Sequence, residues 1–331
     1  MERSFTEDRS AFVSQQDSEA LLAAAAMRSA NPIAGIFGPG SMSWKVNREA
    51  ALFLGAGRAA LMQLAHPWVA TALAQHSSLL SKPIARFHNT FRIVFAMVFG
   101  SLDQALAASR HLYALHTSIR GEMPEDVAAY RLGSHYEANE VCALRWVYAT
   151  LVESAVLAYD AAMPALTAVE REQYYAESKT LAGLFGIPSS ALPDGWDSFI
   201  AYIKQMCESD ALGVSGTARA TAHNLLTGAG SWVSPPAWYR ALTSAWMSER
   251  LRDEFALSFG VPDWHAAERA LRRLPNIYHR LPQSLRFVGP WHEAMARLSG
   301  RPAGVTVRLS NRFWIGQPLL PFTDEAVHPP G

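Results

Sequence analysis

The stretch NEVCALRWVYATLVESAVLAY, residues 139–159, predicts a helix that is apolar on nearly every face. A helix of this kind has no side to present to water, so it is expected at the centre of a fold, with other elements packed around it. Glu153 is the exception, because it places a carboxylate inside the apolar segment. A buried carboxylate needs a cation beside it, since an unpaired buried charge is strongly unfavourable.

Residues 50–102 contain no Asp and no Glu, although the whole chain carries 29 basic and 29 acidic residues. Most of this stretch is apolar, yet it holds the following cations and histidines: Arg58, Lys82, Arg86, Arg92, His66, His76 and His88. Their counter-charge must come either from a distant carboxylate or from an anionic ligand. Glu153 is the candidate carboxylate, paired with Arg58 or with Arg86.

Helical periodicity extends through nearly the whole chain, and Ala, Leu, Met and Arg dominate it. Helices are predicted over 47–64, from Pro67 onward, and over 83–99, 103–120, 139–159, 170–184, 196–208, 236–259 and 264–274. Ser101 is predicted as the N-cap and Gly121 as the C-cap of the helix over 103–120. The only candidate strand is GVTVRL near Val305. We therefore predict one all-α domain over 31–317, with an N-terminal arm (1–30) and a C-terminal tail (318–331).

Composition narrows the class of protein. The net charge is +0, so a nucleic-acid partner is not expected. The two cysteines, Cys142 and Cys207, lie far apart in apolar surroundings, which is typical of reduced thiols in a cytoplasmic protein. The polar N-terminal residues lack the apolar core of a signal peptide. No apolar run is long enough to predict a transmembrane segment.

The segment Gly55-x-Gly57-x-x-Ala60 is similar to a dinucleotide phosphate-binding loop, so a nicotinamide-dependent reductase is one alternative. That loop needs a preceding strand and an acidic residue about 20 residues later. The next acidic residue is Asp103. We favour the interpretation that Gly55 and Gly57 allow two helices to pack closely.

Two predicted helices carry the candidate site. Arg86, Asn89 and Thr90 are spaced i, i+3 and i+4, so they share one helical face. His116 lies on an apolar stripe of the helix over 103–120. A structural arginine and a core histidine are the simplest interpretation. A neutral imidazole in an apolar cavity with arginines nearby would also suit an iron porphyrin, as its axial ligand and its propionate partners.

Motifs for other chemistry are missing from the sequence. The sequence lacks the two Glu-x-x-His motifs that a di-iron bundle needs, and it has no HExxH, no paired CxxC and no Gly-x-Ser-x-Gly. Three alternatives therefore stay open beside the reductase: a haem enzyme, a haem- or lipid-binding protein without catalysis, and a helical bundle without a cofactor.

The order of the segments resembles the MpaB-type oxygenases, which include the latex-clearing rubber oxygenases. The segments are GAGRAALMQLAHPWVATALAQHS, then Pro83-x-x-Arg86 with Thr90, then LHTSIRGE and LRWVYATLVESAVLAY. The resemblance covers roughly residues 38–159 and extends more loosely through AWYRALTSAWMSERLRDEFAL and LPQSLR. It implies an all-α domain that encloses haem b and uses O₂ to oxidise a small, hydrophobic, unsaturated substrate.

The resemblance also implies roles for particular residues. His116, in a His-x-x-x-Arg-Gly motif, matches the proximal iron ligand. Arg86 and Thr90 match the residues that line the distal side. Rubber oxygenases have a lysine immediately before this threonine, where the present chain has Asn89, so rubber cleavage itself is not expected.

Four further residues complete the predicted site. Residues 50–102 contain no acidic residue, so none is present there to match the family's distal glutamate. His66 and His76 are therefore the candidates for proton transfer. Arg58 and Arg120 are the candidates for binding the haem propionates.

Overall fold

A computed structural model describes residues 11–76, 83–229 and 234–322. Within these ranges the chain forms sixteen α-helices and one small antiparallel sheet, which confirms the predicted all-α domain. The helices are α1 (Gln15–Met27), α2 (Met42–Asn47), α3 (Ala56–Leu64), α4 (Pro67–His76), α5 (Pro83–Phe99), α6 (Leu102–Thr117), α7 (Val141–Ala162), α8 (Ala168–Leu184), α9 (Trp196–Glu208), α10 (Gly216–Thr227), α11 (Ala237–Ala245), α12 (Glu249–Glu254), α13 (Val261–Tyr278), α14 (Gln283–Arg286), α15 (Gly289–Leu298) and α16 (Val305–Ile315). The strands are β1 (Arg120–Glu122) and β2 (His135–Glu137), and two 3₁₀ segments cover Ala50–Gly55 and Ser189–Ala191.

Helix α7 is the central helix predicted from the sequence. It packs against α2, α3, α8, α9, α13 and the first 3₁₀ segment. The Trp146 indole donates to the Met62 carbonyl at 2.7 Å, which ties α7 to α3. In the described part of the chain, α7 is also the one helix long and apolar enough to cross a membrane, but 67% of its most apolar window is buried inside the fold.

Two glycines allow α3 and its preceding 3₁₀ segment to pack closely on their neighbours. A Cβ at Gly55 would overlap the backbone carbonyl of Ser154 on α7, and one at Gly57 would crowd Thr243 and Tyr239. The residues before Gly55 form a 3₁₀ helix and not a strand. The helix-packing interpretation is therefore confirmed, and the dinucleotide-loop interpretation is wrong.

Helix α6 begins as predicted but ends earlier. The Ser101 hydroxyl accepts from the Gln104 amide, and the Gln104 side chain reaches back to the Ser101 amide, a capping box. The last helical residue is Thr117, where the prediction continued to Arg120. Gly121 is not a C-cap, because it pairs with Tyr136 in the β1–β2 sheet.

Other element predictions need correction. The helix predicted over 47–64 is divided into the end of α2, a 3₁₀ segment and α3, and that over 236–259 into α11 and α12. The GVTVRL strand is wrong, since these residues begin α16. Part of the predicted N-terminal arm forms α1, which packs against α6 and α8 and buries Leu22. Residues 1–10 and 323–331 lie outside the described ranges.

Candidate active site at helices α5 and α6

An aromatic ridge fixes the rotation of α5. Phe87, Phe91, Phe95 and Phe99 recur every four residues, and their neighbouring rings are 4.6–5.7 Å apart. Phe53, from the 3₁₀ segment before α3, packs on Phe91 with ring centres 4.7 Å apart. Because this ridge occupies one face of α5, the residues at other angles around the helix, including Arg86 and Thr90, face different surroundings.

Arg58 has a carboxylate partner. Its guanidinium lies 2.5 Å from Glu153 and also donates to the Ser154 hydroxyl at 2.9 Å and the Trp246 carbonyl at 2.7 Å. Its side chain is only 5% exposed. The predicted Arg58–Glu153 pair is thus confirmed, and the alternative Arg86–Glu153 pair is wrong. Each of the three guanidinium nitrogens of Arg58 thus already donates to a protein group. The same nitrogens would be needed to bind a haem propionate, the role predicted for this residue.

Arg86 is the exception within the acid-free stretch. Among the residues that the structure describes, its guanidinium forms no hydrogen bond and no ion pair, whereas Arg92 donates to the Ile315 carbonyl at 2.7 Å. Arg86 is half-buried, and burial lowers its pKa. A desolvated cation without a counter-charge is unfavourable, so Arg86 is not expected to stabilise the ligand-free fold.

His116 lies close to Arg86, in the last turn of α6. Burial, and to a lesser extent the nearby positive charge of Arg86, lower the pKa of His116 to about 4. The residue as a whole is half-buried. Neither ring nitrogen has a hydrogen-bond partner in the described ranges. The imidazole is therefore neutral at physiological pH, with a lone pair available to a ligand.

Apolar clusters surround the end of α6. Leu112 packs against the cluster that includes the α5 aromatic ridge, Tyr113 packs against the central core around α7, and Ile119 packs against a third cluster that contains Trp68. His116 thus lies on a helix that passes between three hydrophobic clusters. The residues on either side of it, Leu115 and Thr117, are exposed, so His116 lies where these clusters meet the protein surface.

Thr90 is one turn beyond Arg86 on α5 and is half-buried. Its hydroxyl donates to the Arg86 carbonyl at 3.1 Å, a common local bond for threonine in helices. Asn89 is exposed. Within this trio, therefore, the Arg86 side chain has the hydrogen-bond donors that remain open.

The other predicted residues lie elsewhere. His66 is 1% exposed and packs with Trp68 and Tyr130, whose hydroxyl lies 3.4 Å from the imidazole Nε2. His76 is exposed at the end of α4, with its Nε2 atom 3.1 Å from the carbonyl oxygen of Arg120. Arg120 is itself exposed, in β1. The structure thus groups Arg86, Thr90 and His116, while His76 and Arg120 meet at the α4–β1 junction.

Helix α16 contributes residues that the sequence analysis did not single out. Trp314 stacks on Phe53 at 4.5 Å, with the two ring planes 17° apart. The His88 imidazole lies 3.0 Å from the Phe313 carbonyl. These contacts hold α16 against α5. The adjacent aromatic residues Phe313 and Trp314 could have indicated from the sequence that this segment packs on the fold. The sequence analysis instead predicted a strand near Val305 and assigned no contacts to the segment.

A cavity of about 580 Å³ lies away from this site, at the start of α10. Its charged lining includes Glu208, Asp210, Glu254 and Arg250, and it contains neither Arg86 nor His116. Arg250 is already bonded to Glu254 and to backbone carbonyls. In the described ranges, no three His, Cys, Asp or Glu side chains cluster as a metal site. The candidate site is therefore assigned to α5 and α6 and not to this cavity.

Comparison with known proteins identifies the family of the chain. Residues 44–286, more than two thirds of the chain, match the family described as ER-bound oxygenase mpaB/B'/Rubber oxygenase, catalytic domain. Searches of curated proteins and of solved structures gave no significant match. The match includes α5, α6 and α7, and so the whole Arg86–His116 site. The chain therefore belongs to the MpaB and rubber oxygenase family and carries its oxygenase catalytic domain.

Proposed function

We propose that this protein is a haem b-dependent oxygenase that uses O₂ to oxidise a small, hydrophobic, unsaturated substrate. The observation that carries the proposal is the pair of side chains at α5 and α6: a neutral imidazole beside a desolvated guanidinium that has no partner among the described residues. The oxygenase domain supports the class of reaction.

The donor set fits a b-type haem. A histidine binds haem iron through an unprotonated ring nitrogen, and the lowered pKa of His116 keeps one available. Residues near it in the sequence, Leu112, Tyr113 and Ile119, pack against three apolar clusters, which suits a hydrophobic macrocycle. When bound, the haem iron would supply the site for O₂ and for its activation. Arg120 is exposed and could reach a propionate at the surface, whereas Arg58 already has three protein partners.

Arg86 would stabilise the negative charge that develops on oxygen during the reaction. A guanidinium presents five N–H donors in a fixed plane, and those of Arg86 have no described protein acceptor. Because the group is already desolvated, the charge interaction is stronger than it would be in water and needs little reorganisation. Thr90 would assist by exchanging its bond to the Arg86 carbonyl for one to substrate or oxygen. His66 and His76 remain candidates for proton transfer.

Replacing Arg86 tests the proposal. We expect Arg86→Ala to retain haem, as judged by its Soret absorption, but to consume O₂ with an isoprenoid substrate about 100–1000-fold more slowly than wild type, because one preorganised donor is lost. The matched control is Arg110→Ala on α6, an exposed arginine paired with Glu19 at the surface. Unchanged turnover in Arg86→Ala would remove this residue from the distal role.

The main rival is a haem- or lipid-binding protein without catalysis. It shares the apolar recess and the imidazole, so haem binding alone does not separate the two. O₂ consumption by wild-type protein does: a haem-loaded protein that consumes no O₂ with any unsaturated substrate would favour the carrier or sensor.

We also propose a cytoplasmic location with no nucleic-acid partner. Cys142 and Cys207 form no disulfide in the described part of the chain, which supports a reducing compartment. The balanced net charge offers no electrostatic footprint for nucleic acid. Subcellular fractionation of the native host tests the location, and recovery in a secreted fraction would contradict it.

A further inference from the structure

Helix α16 presents an apolar ridge to solvent. Val305, Leu309 and Phe313 recur every four residues on one face, and they are 74%, 55% and 67% exposed. Isolated exposed apolar residues are common, but a continuous ridge along three turns of one helix indicates a surface that binds an apolar partner.

The surroundings of the ridge are cationic. Residues 294–322 contain no Asp and no Glu, while Arg301, Arg308 and Arg312 are all exposed. Helix α16 packs against α5, which is also free of acidic residues, and against α15. The one acidic residue of α15, Glu293, is buried and bonded to Asn311 and to the Leu320 amide. No exposed carboxylate on these three helices offsets the arginines.

We propose that this face of α16 binds the surface of membranes that contain anionic lipids. A helix with an exposed apolar ridge flanked by arginines is suited to lie in the interface, with its apolar side chains in the acyl boundary and its cations at anionic headgroups. Because this face carries exposed arginines and no exposed carboxylate, it should bind an anionic bilayer more tightly than a neutral apolar surface. Residues 305–315 lie outside the matched family range of 44–286, so the family match does not account for this face.

Aromatic contacts connect the ridge to the helix that carries the candidate site. Phe313 packs on Trp314 at 4.7 Å, Trp314 stacks on Phe53 at 4.5 Å, and Phe53 contacts Phe87, the neighbour of Arg86, at 5.1 Å. A hydrophobic substrate dissolved in the bilayer would thus lie close to α5. This last point rests on the proposed function, whereas membrane binding itself does not.

Co-sedimentation of the full chain with phospholipid vesicles tests the proposal. We expect wild-type protein to bind vesicles of phosphatidylcholine with phosphatidylglycerol, and to bind phosphatidylcholine alone much more weakly. The double variant Leu309→Ser/Phe313→Ser should lower the partition coefficient at least about tenfold, because two apolar side chains no longer insert. Arg308→Gln/Arg312→Gln should lower it about fivefold per arginine, and added salt should have the same effect.

The control is Trp264→Ser/Leu271→Ser on α13, which removes exposed apolar side chains away from the ridge. It should bind vesicles like wild type. Circular dichroism checks that each variant is folded. The proposal is overturned if wild-type protein ignores anionic vesicles, if the α16 variants bind like wild type, or if the α13 variant loses as much binding. It also fails if Phe313→Ser instead dissociates a dimer, since a second copy would then be the partner. None of these results depends on haem or on turnover.

Discussion

At the scale of single residues, Arg86 and His116 define each other's chemistry. His116 stays neutral because it is desolvated and because Arg86 places a positive charge beside it. Arg86 in turn is desolvated without a carboxylate to offset its charge. Two cations of the acid-free stretch therefore differ: Arg58 is paired with Glu153, whereas Arg86 has no partner among the described residues and is the one proposed to bind a ligand.

The first prediction concerns the electrostatic coupling of this pair. Arg86→Met should raise the His116 pKa above its wild-type value of about 4, because the repelling charge is removed while the burial remains. Titration of the histidine ring protons by NMR measures the change, and the distant His135 provides an internal control. An unchanged His116 pKa would show that the two side chains are not neighbours.

The sign of the pH dependence follows from the lowered pKa of His116. An unfolded histidine takes up its proton near pH 6.5, whereas the folded protein resists protonation of His116 down to about pH 4. The unfolded state thus binds more protons between these values. The stabilising contribution is present above about pH 6.5 and is lost as the pH falls toward 4, which chemical denaturation of wild type against His116→Gln can measure.

The second prediction contrasts two arginines of the same stretch. Arg58→Met should lower the free energy of unfolding by about 3–5 kcal/mol, because it leaves Glu153 buried without its cation. Arg86→Met should leave the ligand-free protein as stable or raise its free energy of unfolding by about 1 kcal/mol, since no described partner is lost. Equilibrium urea unfolding measures both values. Equal destabilisation by the two variants would contradict the assignment of Arg86 to a ligand.

At the scale of elements, close packing of the 3₁₀ segment on α7 depends on Gly55. We expect Gly55→Ala to lower the free energy of unfolding by about 1–3 kcal/mol, because its Cβ would overlap the Ser154 carbonyl. The control is Gly183→Ala in α8, where a Cβ meets no atom within 4 Å. That change should stabilise the helix by about 0.5–1 kcal/mol. Thermal unfolding compares the variants, and a neutral Gly55→Ala would refute the close contact.

The sequence predicted correctly the helix ends that are set by residues close in the chain, such as a capping side chain or a proline. The bounds of α5 and α9 agree with the prediction, and Ser101 caps α6 as expected. The strand at Val305 failed because β-branched residues favour strands only weakly, and tertiary packing of α16 outweighs that preference. The buried Asn311 side chain, bonded to Glu293 and the Pro318 carbonyl, is part of that packing.

The candidate site was predictable only in part, for a physical reason. Helical spacing placed Arg86 and Thr90 together and placed His116 on an apolar stripe, and the resemblance then assigned His116 the role of iron ligand. Glu153 and its partner Arg58 are 95 positions apart in the sequence. No local pattern could therefore decide whether Arg58 or Arg86 is that partner. His66 likewise depends on tertiary contacts, because Tyr130 lies 64 positions away.

At the scale of the whole molecule, the fold brings two acid-free segments together. Helix α5 carries the proposed catalytic arginine, and α16 lies against it with its arginines and apolar ridge exposed. Helix α6 packs on α5 and supplies the imidazole. Within an oxygenase domain, this arrangement would place a haem-binding recess close to a surface suited to hydrophobic substrates.

Titration of the haem-free protein with haemin tests the central claim most directly. Wild-type protein and the control His111→Ala, an exposed histidine on the same helix, should both develop a Soret band with equal affinity. His116→Ala should lose the band and retain no haem through gel filtration, because no other nitrogen takes the place of the missing ligand. A His116→Ala variant that binds haemin with wild-type affinity and an unchanged spectrum would contradict the account.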